Sequence, residues 1–182
     1  HHINSLASSL MSKLCMINRI RHLLDYSALS IVINSLVFSK LFYCSSIWSG
    51  TSKSNISKLQ LVQNFAARIL SGKKKYEHIT PTLKLLRLLP ISDALYLRDA
   101  TLMYKCMNSL APHYLVSMFA KRSDVHDRNT RNCKDLQIPK CRTATAHQCF
   151  SYRGVKLWNS IPSELKDKKH LNFSKPLSRD HC

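Results

Sequence analysis

The sequence predicts a mainly α fold: a helical bundle, then a basic extended linker and a small C-terminal α module. Three observations point there. Apolar residues recur at steps of three and four through the first 120 positions, the period of helices with one buried face. Only three glycines occur in 182 residues, which argues against tight hairpins and against a glycine-rich phosphate loop. At Lys121 the periodicity stops and polar residues take over.

In the first helix the apolar stripe runs through Ile3, Leu6, Leu10, Leu14, Ile17, Ile20 and Leu24, with Lys13, Arg19 and Arg21 off it. Asp25 or Ser27 can cap a second helix reaching to about Trp48. That helix is apolar on more than one side, so it is expected at the centre of the bundle. Ser52 or Ser54 can cap the third, whose stripe is Ile56, Leu59, Val62, Ala66, Ile69 and Leu70 and whose left-handed stop is Gly72. Thr80 and Pro81 read as N-cap and first residue of a short fourth helix ending before Pro90. A fifth runs from Ile91 to about Asn108, with Leu95, Leu102, Met103 and Cys106 inward, and Pro112 opens another short one. The predicted division is a bundle over 1–120, a basic linker over 121–147 with a short strand at 136–138, a module over 148–170, and a frayed tail over 171–182. Phe150, Tyr152, Val155, Leu157 and Trp158 supply the packing of the module.

Lys and Arg number 28 against 10 Asp and Glu, a formal charge of +18. Residues 1–92 hold 12 basic and 2 acidic side chains, and residues 93–182 hold 16 and 8, so the excess is spread over the body. Such a balance implies a polyanionic partner, nucleic acid before an anionic membrane. The most apolar window, residues 29–48, is long enough to span a bilayer. It places Lys40 near its middle, at ~2.5–3.5 kcal/mol on insertion scales, so a buried helix is expected and no membrane. The chain opens on His1, so either it is a fragment or its start lies elsewhere, and no signal-peptide pattern is read at its opening. Seven irregularly spaced cysteines, with Cys15, Cys44 and Cys106 inside helical patterns and expected to be buried thiols, fit a reducing compartment, cytosol or nucleus.

Metal-dependent nucleotidyl transfer needs clustered carboxylates. Asp93 and Asp99 are six apart, Asp124 and Asp127 fall in the linker, and all four read as solvated. His126, Cys133, Cys141, His147 and Cys149 lack the paired spacing of a zinc site. No nucleophile signature stands out. Neither catalytic residues nor a metal or cofactor is expected. What remains is basic surface interleaved with amides: Lys58, Gln60, Gln63, Asn64, Arg68, Lys73, Lys74, Lys75 and His78, with Arg142, Arg153 and Lys156 further on. Gln60, Asn64 and Arg68 step by four and so share a face, away from the apolar stripe, suited to a phosphate backbone. Cations gain ~0.3–1 kcal/mol each at a helix C-terminus, and three lysines plus a histidine exceed what that dipole calls for.

Five pieces of sequence, in order, resemble one family. Gln63, Asn64, Ala66, Ala67 and Arg68 match a Q-N-x-A-A-R helix, and residues 78–81 an H-I-T-P step. Leu89-Pro90 follows, then L-A-P-x-Y-L at 110–115 and L-W-N-S-x-P at 157–162. Together they resemble the region C-terminal to the polymerase core in non-LTR (LINE-type, Jockey-like) retrotransposon reverse transcriptases, over residues 1 to about 170. Leu88 departs from the pattern, standing where the family commonly has Trp. The resemblance implies a thumb-like bundle that holds template–primer (RNA, DNA or RNA–DNA hybrid) while upstream palm and fingers carry the catalytic aspartates. It implies a nucleic-acid-binding fragment of an RNA-directed DNA polymerase that does not polymerise by itself. The alternative is a basic helical adaptor for protein or chromatin partners, independent of the element.

Overall fold

The computed structural model describes residues 2–125, 135–162 and 166. Among them the chain is helical, without a strand. Helix α1 (His2–Ile20) buries Ile3, Leu6, Leu10, Leu14 and Ile17, the stripe its spacing foretells. The stripe ends there: Ile20 is 46% exposed, because the chain tightens into a 3-10 turn over Arg21–Leu23. Asp25 then caps α2 (Tyr26–Ile33), its carboxylate accepting from the Ala28 N–H at 3.0 Å.

The expected single helix to Trp48 is broken twice. A π turn over Asn34–Phe38 joins α2 to α3 (Ser39–Phe42). Then Cys44, at φ 46°, turns the chain into α4 (Ser45–Trp48). Leu29, Ile33, Val37, Phe38 and Leu41 face the core, whereas Ile31 and Leu36 are exposed. Among the described residues no helix is long and apolar enough to cross a membrane.

Helix α5 (Lys53–Ser71) is capped by Ser52, which accepts from Asn55 N–H, and stops at Gly72, φ 69°. Leu59, Val62, Ala66 and Ile69 close the first core against α1, α2 and the helix that opens at Ile91. The side chains of Ala66 and Ala67 are small enough for neighbouring backbone to approach, and both are fully buried. Each fully buried Leu or Ile here contributes about 1.5–3 kcal/mol. The short α6 (Thr80–Leu85) starts one residue earlier than expected, with Ile79 as N-cap. Arg87, left-handed at φ 52°, terminates it.

Helix α7 (Ile91–Met107) joins two cores. Ile91 and Leu95 belong to the first; Met103 and Cys106 belong to a second, with Phe119, Leu136, Val155 and Trp158. Two one-turn helices, α8 (His113–Val116) and α9 (Arg122–Val125), follow. Residues 136–138 form one antiparallel bridge, Lys121 to Leu136, rather than a strand. Leu136 is buried, and Asn159 clamps its backbone by accepting from its N–H and donating to its carbonyl, both at 3.0 Å. Packing therefore crosses the sequence boundaries at 120 and 147. Helices α10 (Ala144–Gln148) and α11 (Phe150–Ser160) complete the second core. The tail at 171–182 lies outside the described residues.

One polar cluster fastens α11 to the bundle. Asp99, on the central turn of α7, is 3% exposed, so its expected place on a solvated surface is corrected. Arg153 of α11 donates to Asp99 Oδ2 at 2.6 Å, to Ser49 Oγ at 2.8 Å, and to the carbonyls of Ser46 at 3.1 Å and Gln148 at 2.8 Å. Ser49 Oγ donates to the same carboxylate oxygen at 2.9 Å. Burying that carboxylate is tolerable because the guanidinium neutralises it. Gly50 lies against this knot, where a Cβ would overlap the Gln148 carbonyl oxygen. Asp93 and Asp124 are exposed, as expected, and Asp127 lies outside the described residues.

Candidate nucleic-acid interface

The lysine run begins where α5 stops. Gly72 takes the left-handed conformation, and the chain folds into a turn between Lys74 and Glu77. Glu77 holds that turn: its carboxylate accepts from the Lys74 N–H at 2.7 Å, and its own N–H donates to the Lys74 carbonyl at 3.3 Å. Arg68, half-buried at the base, donates to the Glu77 carbonyl at 3.3 Å. Lys74, Lys75 and His78 are exposed and Lys73 is half-exposed, so four of the expected residues converge on one turn. None of them pairs with a carboxylate side chain; among the described residues the ion pairs are Arg153–Asp99 and Lys166–Asp135.

The fold adds residues that the sequence reading did not group with this turn. Arg21 and His22, from the α1–α2 connection, and Tyr26, the first residue of α2, share a shallow depression of about 350 Å³ with Ser71 and Gly72. They are some fifty positions away in sequence, so no local pattern could have linked them. Tyr76, between the lysines and Glu77, is 93% exposed. An aromatic ring beside cations offers a face on which a base can stack, at about 1–3 kcal/mol per base. The signal for Tyr76 was present as an aromatic directly after the lysine run.

The amides have a different use. Gln63 is 1% exposed and donates to the Leu89 carbonyl at 2.9 Å. Gln60 donates to Gln63 Oε1 at 2.8 Å and to Asn64 Oδ1 at 2.9 Å, and accepts from the Ile91 N–H at 2.9 Å. This chain of amides ties α5 to the Leu89-Pro90 turn and satisfies the first N–H of α7. The face at Gln60 and Asn64 thus looks onto the α6–α7 junction, where a shared face was expected to meet phosphate. Lys58 is exposed and donates to Asn4 Oδ1 at 2.8 Å. It lies fifteen residues before Lys73, about 22 Å along the helix axis, and so stands apart from the turn. Arg153 is held in the knot described above. Arg142 and Lys156 are exposed in the second half, with Lys156 Nζ 4.9 Å from the Tyr152 ring centroid.

No known protein family, curated protein or solved structure matches this chain.

Cys15, Cys44 and Cys149 are exposed, which corrects the expectation that Cys15 and Cys44 are buried. Cys106 is buried, and burial pushes its thiol pKa up. Among the described residues no three His, Cys, Asp or Glu side chains gather to hold a metal ion. His126 and Cys133 lie outside those residues. His147 Nε2 is 3.3 Å from the Cys141 carbonyl, and its ring packs against Tyr152.

Proposed function

We propose that the chain is a nucleic-acid-binding fragment of a non-LTR retrotransposon RNA-directed DNA polymerase, gripping template–primer without the catalytic palm. The observation that carries this reading is the turn after α5. Lys73, Lys74, Lys75 and His78 follow a helix end, among the described residues without carboxylate partners, and that end (Ser71 and Gly72) shares a depression with Arg21 and His22, on a chain of net charge +18. The five family-like sequence pieces supply the polymerase context, and the mainly helical bundle is compatible with a thumb. Contact is through phosphate, so binding is driven by counterion release.

Fluorescence anisotropy of a labelled RNA–DNA hybrid, titrated at several salt concentrations beside single-stranded RNA and duplex DNA, tests it. Exchanging Lys73, Lys74 and Lys75 for Ala should lower the salt slope by up to about three. Three lost phosphate contacts make the slope about 2.7 shallower, so the variant loses roughly 40-fold less affinity than the parent between 50 and 200 mM salt. An unchanged slope removes this turn from the interface. Equal, weak binding to every polyanion removes the template–primer reading.

A further inference from the structure

A second surface has a different chemistry. Between α4, the α6–α7 turn, α7 and α8 lies an open cleft of about 990 Å³. Its floor is one face of α7, through Ala94, Leu97, Arg98, Thr101, Leu102 and Lys105, at the spacing of a helix stripe. Its walls hold large apolar side chains that are exposed: Ile47, Leu89, Tyr114 and Met118. An open cleft lined by exposed apolar side chains is a shape that an amphipathic helix can occupy. Arg87, Arg98 and Lys105 stand along it, and among the described residues no carboxylate lines it. Among the described residues none of the three forms an ion pair; the Arg98 guanidinium rests 4.3 Å from the centre of the Phe42 ring. Partial burial without a counter-ion lowers its pKa. Cys44 and Arg87, two of the non-glycine residues with positive φ, also line the cleft. Left-handed backbone at such residues is strained and gathers at binding sites.

We propose that this cleft is a docking groove for an acidic amphipathic helix of a protein partner, whose leucine stripe fills the floor and whose flanking carboxylates pair with Arg87, Arg98 and Lys105. Charge decides the occupant: the groove supplies only cations, and a second copy at +18 would be repelled. Shape separates protein from nucleic acid. Branched and thioether side chains from Ile47, Leu89, Leu97 and Met118 interdigitate with leucines, as in helix-in-groove recognition. Bases need flat faces to stack on; one face of Phe42 is covered by Arg98, and Tyr114 is a single exposed ring among mostly aliphatic walls.

The probe is a fluorescein-labelled 16-residue synthetic peptide with leucine at i, i+3, i+4 and i+7 and glutamates flanking the stripe. A peptide of identical composition with the leucines scattered is its control. The full chain should bind the amphipathic peptide saturably and at least tenfold more tightly than the scattered one. The double variant Arg98→Glu/Lys105→Glu should weaken binding at least tenfold, and so should Thr101→Trp, which fills the floor without changing charge. The triple alanine variant at Lys73, Lys74 and Lys75 should bind the peptide as the parent does, which separates this groove from the hybrid-binding turn. Far-UV circular dichroism establishes that each variant is folded. Equal binding of both peptides, or none, overturns the proposal. It is also overturned if a 12-nucleotide single-stranded RNA occupies the groove with the same sensitivity to these variants. Self-association that Thr101→Trp abolishes would assign the groove to a second copy and overturn it likewise.

Discussion

The knot at Arg153 is the place where one substitution should reach furthest. Arg153→Met removes the counter-charge of a carboxylate whose side chain is 4% exposed. Leaving one buried partner alone costs about 3–5 kcal/mol. The Arg153 side chain is 24% exposed, so the lower end, about 3 kcal/mol, applies. With a urea slope of about 2 kcal/mol/M the unfolding midpoint should fall by about 1.5 M. Asp99→Asn should cost less, because a neutral amide still accepts from Ser49 and leaves the guanidinium partly hydrated. Combining the two should cost at least about 1 kcal/mol less than their sum, since the double variant buries no lone charge. Urea titrations followed by circular dichroism, on four proteins, supply the whole cycle. If Arg153→Met moves the midpoint by less than about 0.5 M and the two changes simply add, the knot is not what fastens α11 to α4 and α7.

Three further outcomes follow from the same structure. Gln63→Leu should cost about 1–3 kcal/mol in urea unfolding, by leaving the Leu89 carbonyl and a Gln60 N–H without partners, and the salt slope of hybrid binding should stay where it was; a changed slope with unchanged stability would return Gln63 to the surface. Gly50→Ala should lower stability by about 1–3 kcal/mol, because its methyl needs the space of the Gln148 carbonyl that Arg153 uses; a melting temperature equal to the parent's would contradict that crowding. At pH 8, iodoacetamide should label Cys15, Cys44 and Cys149 at least tenfold faster than Cys106, whose raised pKa reduces its thiolate at that pH and whose burial blocks access; peptide mass mapping over time reads the order, and equal rates would refute it.

The helices were legible because their signals are local. The Ser52 cap, the Gly72 stop and the apolar stripes of α1 and α5 lie within a few residues of what they control. What escaped was decided by partners far along the chain. Asp99 looks like any surface acid until Arg153 arrives from 54 positions away. Gln60 and Asn64, four apart, look the same whether that face meets solvent or the start of α7. Gln63 escaped for a related reason, since its partner is the Leu89 carbonyl, 26 residues on. Leu136 sits in a polar stretch without periodicity, so its burial against Trp158 could not be inferred from neighbours. Of the candidate interface, the lysines were plain in the sequence, and the nearby Arg21 and His22 were brought there only by the turn after α1.

The π turn has a consequence for chain length. Leu29, Ile33, Val37 and Leu41 are spaced four apart, yet all four point inward. In a regular helix each step of four overshoots a turn by about 40°, so three such steps would carry Leu41 about 120° off the core. The wide turn over Asn34–Phe38 absorbs that drift. With one residue fewer between Ile33 and Val37, the same side chains would fall at intervals of four, three and four, the repeat of an ordinary amphipathic helix. The segment thus holds one residue more than its stripe requires, and a single-residue gap in a related chain would be accommodated there with both ends of the helix keeping their faces.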